Sequence, residues 1–289
     1  MFEYLINLAI LFAIYAILGI SLNLIVGYAG LVSVAQAAFY GIGAYITAIL
    51  LATFGFNFFV ALLIGITISV LASLVIGIIL SRFSGDYFVL GSLGFNAIIF
   101  SIFLNWQSIT KGPLGISGIP RPTFLSISFF SNTSFLVLSL IFLVLAYYIS
   151  RFVVSSSFGR VLKAIREDEK AIQIFGYNTK YYKLIIFIIG SGLAAIAGAL
   201  FASYISYIDP TTFNITESIF ILSIIILGGL ANLRGSVLGA LFLILLPEIL
   251  RFVGFPIDIA AQMRQLVYGL LLILLMIYRP QGLMGEYRL

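Results

Sequence analysis

The chain alternates between apolar runs of roughly 20 residues and short polar connections, a pattern typical of helices that cross a bilayer. We therefore predict an all-α, polytopic integral membrane protein with about nine membrane-embedded helices. Glycines gather near the second run, at Gly27, Gly30, Gly41 and Gly43, and predict that its helix is broken or re-entrant. The predicted segments are 5–26, 31–53, 58–81, 87–106, 134–154, 184–207, 217–233, 236–253 and 262–279.

Composition supports lipid as the solvent around these segments. Apolar residues make up 62% of the 289 residues and charged residues 9%, against about 25% charged residues in soluble domains. The chain has neither cysteine nor histidine, which excludes disulfides, thiol nucleophiles, and histidine-based metal sites or general bases. Its net charge of +5 comes from segment ends and one polar loop, which favours membrane lipids as neighbours and no nucleic-acid partner.

Basic residues also predict the orientation. With residues 155–183 placed in the cytoplasm, eleven of the 15 lysines and arginines fall on the inner side and four on the outer side. Cytoplasmic loops are enriched in such residues. We therefore expect a multi-pass protein of the plasma membrane with its N-terminus outside and its C-terminus in the cytoplasm.

Two connections are longer than the others. Residues 107–133 are rich in Gly, Pro and Ser, and because unpaired backbone cannot lie in lipid, they predict a structured loop on the external face. Residues 155–183 are far more polar, with nine of the chain's 25 formal charges inside one 25-residue stretch. A polar loop of this size in such an apolar chain favours a docking surface.

The sequence of the polar loop predicts a short helix near residues 168–175. Acidic residues at 167–169 suit a helix start, where carboxylates complement the helix dipole, and Gly176 suits the position just past the end. Ile172 and Phe175 would then be exposed to a protein partner. The alternative is a loop that only brings basic residues to lipid headgroups.

Ionisable residues are rare inside the predicted segments. Glu217 and Arg264 fall at outer segment ends, where long side chains can reach the interface. Glu248 stands three residues before Arg251, so that a local ion pair and a role facing solute both fit. The chain has neither a series of acids for ion coupling nor a G-x-x-x-x-G-K-[ST] phosphate loop. We therefore predict a non-catalytic subunit that binds no cofactor and takes its energy from another protein.

One region combines the features of a translocation path. Backbone groups freed at helix breaks, with Ser, Asn and Gln side chains, are the hydrogen-bond partners left for a polar solute where charges are scarce. Close helix packing through small residues explains the same pattern, and both interpretations stay open. The candidate path residues are Asn23, Gly27, Gly30, Ser33, Gln36, Gly41 and Gly43.

Eight short motifs are spread in order along nearly the whole chain. They are 22–30 (LNLIVGYAG), 38–45 (AFYGIGAY), 82–88 (RFSGDYF), 110–120 (TKGPLGISGIP), 159–169 (GRVLKAIREDE), 227–230 (LGGL), 246–248 (LPE) and 279–283 (RPQGL). Together they resemble the LivM-type permeases of branched-chain amino-acid ABC importers. The chain departs from that family at Ser236, where proline is common, and at Lys111, where glycine is common. Both departures bear on local turns more than on class.

The resemblance implies that residues 1–289 form a single permease domain and that residues 155–183 contact an ATPase. It also implies three kinds of partner: a homologous second permease, two ATP-binding subunits that use ATP and Mg, and an external solute-binding protein. The candidate ATPase-coupling residues are Arg166, Glu167, Asp168, Glu169, Ala171, Ile172, Phe175 and Gly176.

The resemblance implies branched-chain or other hydrophobic amino acids as cargo. Permeases for urea and short amides look alike in these motifs, so urea, an amide or another small polar solute is the alternative. A remote alternative is an intramembrane transferase, a class that needs clustered acids for a metal–diphosphate within the membrane. The acidic cluster of this chain, at 167–169, is instead flanked by basic residues in a loop.

Overall fold

A computed structural model describes residues 2–83, 85–124, 127–251, 266, 269–270, 273–274, 277–278 and 281–284. Within these residues the chain forms eleven α-helices and four two-residue strands. The helices are α1 (Phe2–Asn23), α2 (Gln36–Ala52), α3 (Phe58–Leu80), α4 (Asp86–Asn105), α5 (Gln107–Thr110), α6 (Asn132–Ser155), α7 (Ser157–Glu167), α8 (Glu169–Ile174), α9 (Thr179–Ile205), α10 (Ile215–Gly228) and α11 (Leu233–Arg251). The strands are β1 (Ile116–Ser117), β2 (Thr123–Phe124), β3 (Ile127–Ser128) and β4 (Tyr207–Ile208).

In the part of the chain that the structure describes, five helices are long and apolar enough to cross a membrane: α1 with its continuation to Tyr28, α3, α4, α6 and α9. A sixth crossing results if α10 and α11, which bend by 118°, count as one broken span. The predicted all-α membrane fold is confirmed, whereas the count of nine is not. α2 and α10 have 17 and 14 residues, fewer than the roughly 20 of a full crossing. Most of the predicted segment 262–279 lies outside the described residues.

α1 and α9 form the buried centre of the bundle, while α3, α4 and α6 lie at its periphery. Small residues allow this packing. A Cβ added at Gly43 of α2 would overlap the backbone of Ala195 in α9, and one at Gly198 of α9 would overlap the carbonyl of Tyr40. Helix backbones approach this closely only where side chains are small. The outer faces of α3 and α6 expose large aliphatic side chains, as expected for surfaces that contact lipid.

The second predicted segment is broken, as its glycines indicate. α1 continues into a π turn at Leu24–Tyr28, residues 29–35 are not helical, and α2 begins only at Gln36. Gly30 has a φ of +70°, a left-handed conformation that glycine adopts without steric cost. The turn between α10 and α11 contains a second break at Gly229, with a φ of +113°. Irregular backbone inside a membrane protein has to be enclosed by protein, and residues 24–29 are indeed buried.

The long connection after α4 contains short ordered elements. β1 pairs antiparallel with β4, with Ile116 opposite Ile208, and β2 pairs with β3. The Thr110 hydroxyl donates to the carbonyl of Phe103 at 2.7 Å. Asn57 Nδ2 donates to the carbonyl of Thr123 at 2.9 Å. These bonds hold the connection against the ends of the neighbouring helices, and its position on the external face stays a prediction.

Candidate functional site

The polar connection between α6 and α9 folds as two helices. α7 begins after Ser156, whose hydroxyl accepts from the amide of Gly159 at 3.4 Å. It buries Leu162 and Ile165 against the bundle and exposes Arg160. The sequence did not predict this helix as a separate element, because the basic residues at 160, 163, 166 and 170 recur every three or four residues, as on one helical face. The face is interrupted at Asp168, where the backbone is extended.

α8 is the short helix that the sequence predicts. The Asp168 carboxylate accepts from the amide of Ala171 at 3.0 Å and caps its first turn. Gly176 follows the helix with a φ of +86°, the left-handed conformation typical of a helix stop. Glu167 is a correction: it ends α7 instead of starting α8, since the chain turns at Asp168.

The exposed apolar pair of α8 is Ile174 and Phe175, with 85% and 77% of their surfaces accessible. Ile172, predicted to be exposed with Phe175, is only half-exposed, as is Ala171. The chain folds back after the helix, where the amide of Tyr177 donates to the Ile172 carbonyl at 3.3 Å. Helical spacing alone could not show this return of the chain.

Glu169 fastens α8 to the first turns of α9. Its carboxylate lies 2.6 Å from the Lys183 ammonium and accepts from the Thr179 hydroxyl at 2.9 Å. Gln173 Nε2 adds a bond of 2.9 Å to the same hydroxyl. Only 6% of the Lys183 side chain is exposed, so loss of the carboxylate would leave a cation with little access to water. α8 and α9 are therefore coupled through a charged contact.

Arg166 joins the coupling candidates to the path candidates. Its guanidinium donates to the carbonyl of Gly27. Its aliphatic part lies against Gly30, where an added Cβ would stand 2.9 Å from Arg166 Cγ. One turn earlier on α7, the Lys163 ammonium lies 5.6 Å from the ring centroid of Tyr28, within range of a cation–π contact. The two sets, predicted from distant parts of the sequence, meet at the π turn that ends α1.

Asn23 connects this π turn to the turn between α10 and α11. Its Nδ2 lies 3.3 Å from the Gly229 carbonyl, 3.0 Å from the Asn232 carbonyl and 2.6 Å from Ser236 Oγ. Its Oδ1 accepts from the amide of Ala231 at 3.0 Å. Asn23 is fully buried, and both polar atoms of its side chain are bonded to protein. The contact is an interhelical crosslink.

Side chains from α4 and α10 satisfy the backbone where α2 begins. The amide of Val34 donates to Ser92 Oγ, and the amide of Ala37 donates to Ser218 Oγ, both at 2.9 Å. Asn96 Nδ2 bridges the Val34 carbonyl and Ser218 Oγ at 2.9 and 2.8 Å. The first amides of a helix have no partner within the helix, so these hydroxyls allow α2 to start inside the bundle.

Ser33 and Gln36 both lie buried at this break. Ser33 Oγ accepts from the amide of Ala35 at 3.3 Å, and Gln36 Nε2 donates to Ser21 Oγ of α1. Among the described residues, Gln36 Oε1 and Asn96 Oδ1 have no hydrogen-bond partner. The break therefore retains polar capacity, and a path role for Ser33 and Gln36 stays a prediction.

Gly41 and Gly43 lie at contacts between helices. A Cβ at Gly41 would come within 2.6 Å of Phe103 Cε2 and 3.0 Å of Phe213 Cβ. At Gly43 it would overlap the backbone of Ala195. These distances support the close-packing interpretation for both glycines. Their role in a path stays a prediction.

Glu217 lies in the first turn of α10 and is bonded within the bundle. Tyr15 Oη of α1 donates to Glu217 Oε1 at 2.8 Å. The position of Glu217 at a membrane interface stays a prediction. The Arg251 side chain and all of Arg264 lie outside the described residues, so the predicted pairing of Glu248 stays a prediction.

Several residues that complete the site were missed. Their signal was weak, because single Ser or Asn residues in apolar helices show no periodicity. The available signal was physical: such side chains tend to hydrogen-bond across helices in a membrane. The missed residues are Ser21, Ser92, Asn96, Ser218, Asn232 and, on α8, Ile174.

Comparison with known proteins finds relatives along the whole chain. A family profile described as "Branched-chain amino acid transport system / permease component" matches residues 4–276. The high-affinity branched-chain amino acid transport system permease protein LivM of Escherichia coli is 34% identical over 306 aligned positions, which cover 98% of this chain and 70% of that protein. The probable branched-chain amino acid transport permease LivM of Methanocaldococcus jannaschii is 27% identical, with 95% and 91% covered.

A relative with a different named cargo also matches. The autoinducer 2 import system permease protein LsrC of Salmonella paratyphi B is 27% identical over 65% of this chain and 57% of that protein. No solved structure gives a significant match.

Proposed function

The chain belongs to the permease family of branched-chain amino acid transport systems, and we propose that it is the membrane subunit through which an ATP-driven importer passes branched-chain amino acids. The observation that carries this proposal is the end-to-end relationship to permeases named for that transport. The breaks after α1 and between α10 and α11, which are surrounded by polar side chains, support a role in passage across a membrane.

We propose that the subunit works with a homologous second permease, two ATP-binding subunits and an external solute-binding protein. The sequence lacks a phosphate loop, so ATP and Mg would be used by the partner subunits. Selection of the solute can rest with the binding protein, which allows weak contacts along the path.

The apolar end of α8 is the proposed contact with an ATP-binding subunit. Ile174 and Phe175 are exposed side by side at the end of α8. Apolar side chains exposed in this way favour insertion into a groove of a partner. Glu169, bonded to Lys183 and Thr179, would pass the motion of α8 to α9.

α7 offers a second connection from the same partner to the path. Arg166 holds the Gly27 carbonyl, and Asn23 of the adjoining helix end holds the turn between α10 and α11. A shift of α7 would therefore change the hydrogen bonds at both helix breaks. We propose that ATP-driven changes reach the path through this series of hydrogen bonds.

The proposed orientation places α7, α8 and the C-terminus in the cytoplasm. The end of the described chain lies close to this side, since the amides of Leu283 and Met284 donate to the carbonyls of Leu227 and Gly228 at 2.8 and 3.0 Å. The excess of basic residues at this end supports the same orientation.

A different small polar solute is the second candidate cargo. The match to an autoinducer 2 permease favours this possibility, because one kind of permease serves more than one solute. The described break offers amide oxygens and hydroxyls, which would accept hydrogen bonds from many solutes.

The test uses the complete transporter in liposomes, with ATP inside and the binding protein outside. We expect ATP-dependent uptake of radiolabelled leucine that unlabelled isoleucine and valine reduce. The matched control is the same assembly with hydrolysis-deficient ATP-binding subunits. Uptake of urea or an amide in place of leucine would contradict the amino-acid cargo, and uptake without ATP would contradict the importer.

A further inference from the structure

A cleft of about 560 Å³ opens on the outer surface of the bundle between α6 and α11. Both helices reach the end of the bundle that carries α7 and α8, because α6 ends there and α11 begins there. Met284 closes the cleft on one side. The side chains that line it on the two helices are Leu143, Val144, Tyr147, Tyr148, Arg234, Val237 and Leu238.

The cleft is apolar along most of its length. Leu143 and Val144 on α6 face Val237 and Leu238 on α11. One turn of each helix thus contributes two neighbouring aliphatic side chains to the cleft, and such a surface suits part of a hydrocarbon chain.

The end of the cleft nearest α7 is positively charged. Arg234 is exposed in the first turn of α11, and no ion pair joins its guanidinium to a carboxylate in the described part of the chain. Arg151 is exposed on α6 one turn beyond Tyr147 and Tyr148. Tyrosine and arginine are the side chains expected at the level of lipid headgroups.

We propose that this cleft binds one anionic glycerophospholipid of the cytoplasmic leaflet. The phosphate lies on Arg234, and part of one acyl chain lies against the aliphatic side chains. Charge complementarity selects this occupant, since Arg234 is the charged residue of an otherwise uncharged lining and Arg151 follows one turn after Tyr147 on α6. Guanidinium groups bind phosphate oxygens through directed hydrogen bonds.

Binding at this position would stabilise the turn between α10 and α11. The amide of Arg234 donates to Asn232 Oδ1 at 3.0 Å, and the Asn232 carbonyl accepts from Asn23. The phosphate would therefore sit next to the residues that crosslink this turn to α1. The inference depends on the membrane fold and holds for any cargo.

The experiment uses the complete transporter in phosphatidylcholine vesicles that contain a phosphatidylglycerol probe with a diazirine on one acyl chain. Illumination should label the α6 and α11 peptides of the cleft more strongly than the outer face of α3. Unlabelled phosphatidylglycerol should compete, whereas inorganic phosphate should not. In Arg234→Gln, half-maximal labelling should need roughly five times more probe, the equivalent of about 1 kcal/mol for one basic residue at an anionic surface.

Arg160→Gln is the matched control, because Arg160 is an exposed arginine on α7 and not a lining residue of the cleft; we expect its labelling to stay unchanged. Val144→Trp fills the groove without changing charge and should also reduce labelling of the cleft, with labelling of α3 reporting an intact fold. Equal labelling by a phosphatidylcholine probe would overturn the proposal, as would unchanged labelling in Arg234→Gln. The proposal would also be overturned if Tyr148 were found crosslinked to the second permease and not to the lipid probe.

Discussion

Single polar side chains in apolar surroundings determine how the helices of this protein fit together. Asn23 binds four groups of the turn between α10 and α11, and Glu169 binds two side chains of α9. A buried polar group that loses its partner costs about 1–3 kcal/mol. Neither contact can therefore be removed without a measurable loss of stability.

Asn23→Leu should lower the free energy of unfolding by about 1–3 kcal/mol, because it removes the acceptor of the Ala231 amide and the bond from Asn23 to the Gly229 carbonyl. Thermal unfolding of the detergent-solubilised transporter measures the change. Asn105→Leu is the control, since Asn105 is exposed and donates to Ser101 within its own helix. A similar loss of thermal stability in both variants would show that the Asn23 crosslink does not stabilise the protein more than an exposed asparagine does.

Glu169→Gln should lower the amount of solute imported per ATP hydrolysed. The amide keeps the shape of the side chain but removes the charge that neutralises the nearly buried Lys183, which weakens the connection between α8 and α9. Glu167→Gln removes an exposed acid from the neighbouring helix and should leave the ratio unchanged. The idea fails if both variants transport like the unmodified protein while their ATPase rates also match it.

At the scale of whole helices, length and position define two kinds of element. α2 and α10 are too short for a full crossing; α2 begins, and α10 ends, next to polar side chains inside the bundle. α8 is shorter still, and its apolar end has no contact with the rest of the described chain that would bury it. The first kind fits a path and the second kind fits a contact with a partner.

Replacing both Ile174 and Phe175 with Asp should prevent co-purification of the ATP-binding subunits or abolish ATP-driven uptake. Two charges would replace the exposed apolar surface that the proposed groove receives. Phe54→Asp serves as the control because Phe54 is 65% exposed in the connection between α2 and α3. Normal assembly and uptake in the double variant would show that α8 is not the contact with the ATP-binding subunit.

Gly43→Leu should destabilise the protein and reduce uptake in parallel. The new side chain would overlap the Ala195 backbone, and such overpacking costs about 1–3 kcal/mol or more. Gly94→Leu is matched, because Gly94 lies in α4 with open space around its Cα. Lost uptake at unchanged thermal stability would instead assign Gly43 to the path.

At the scale of the whole molecule, the coupling residues and both helix breaks lie at one end of the bundle. Arg166 reaches Gly27 from one side and Asn23 reaches Gly229 from the other. The three parts form one connected unit. In the proposed importer, this unit would respond to the ATP-binding partner subunits.

The purified chain in liposomes should show neither ATP hydrolysis nor uptake driven by an ion gradient. The sequence lacks a phosphate loop, and the one carboxylate found bonded inside the described bundle, Glu217, is held by Tyr15. Radiolabelled uptake with and without a proton gradient checks this expectation. Robust uptake by the chain alone would contradict a role as one subunit of a larger machine.

The sequence was sufficient for those features that depend on nearby residues. Apolar runs predicted the helices, and Gly30 and Gly176 predicted a break and a helix stop, because backbone conformation is a local property. The contacts of Arg166 with Gly27 and of Asn23 with Ser236 join residues 139 and 213 positions apart. Such pairs depend on how the helices pack, which no local pattern contains.

The 213 residues that separate Asn23 from Ser236 affect how the protein is synthesised and inserted. At about 5–20 residues per second, a ribosome needs roughly 10–40 s to proceed from Asn23 to Ser236. During that time α1 is already in the membrane, while the side-chain amide of Asn23 still lacks its partners near Ser236. α10 is only about 21 Å long and is too short to span the membrane by itself. The amino-terminal half is therefore an incompletely packed intermediate until α11 has been inserted. Before that step, the nascent chain is the form most sensitive to degradation.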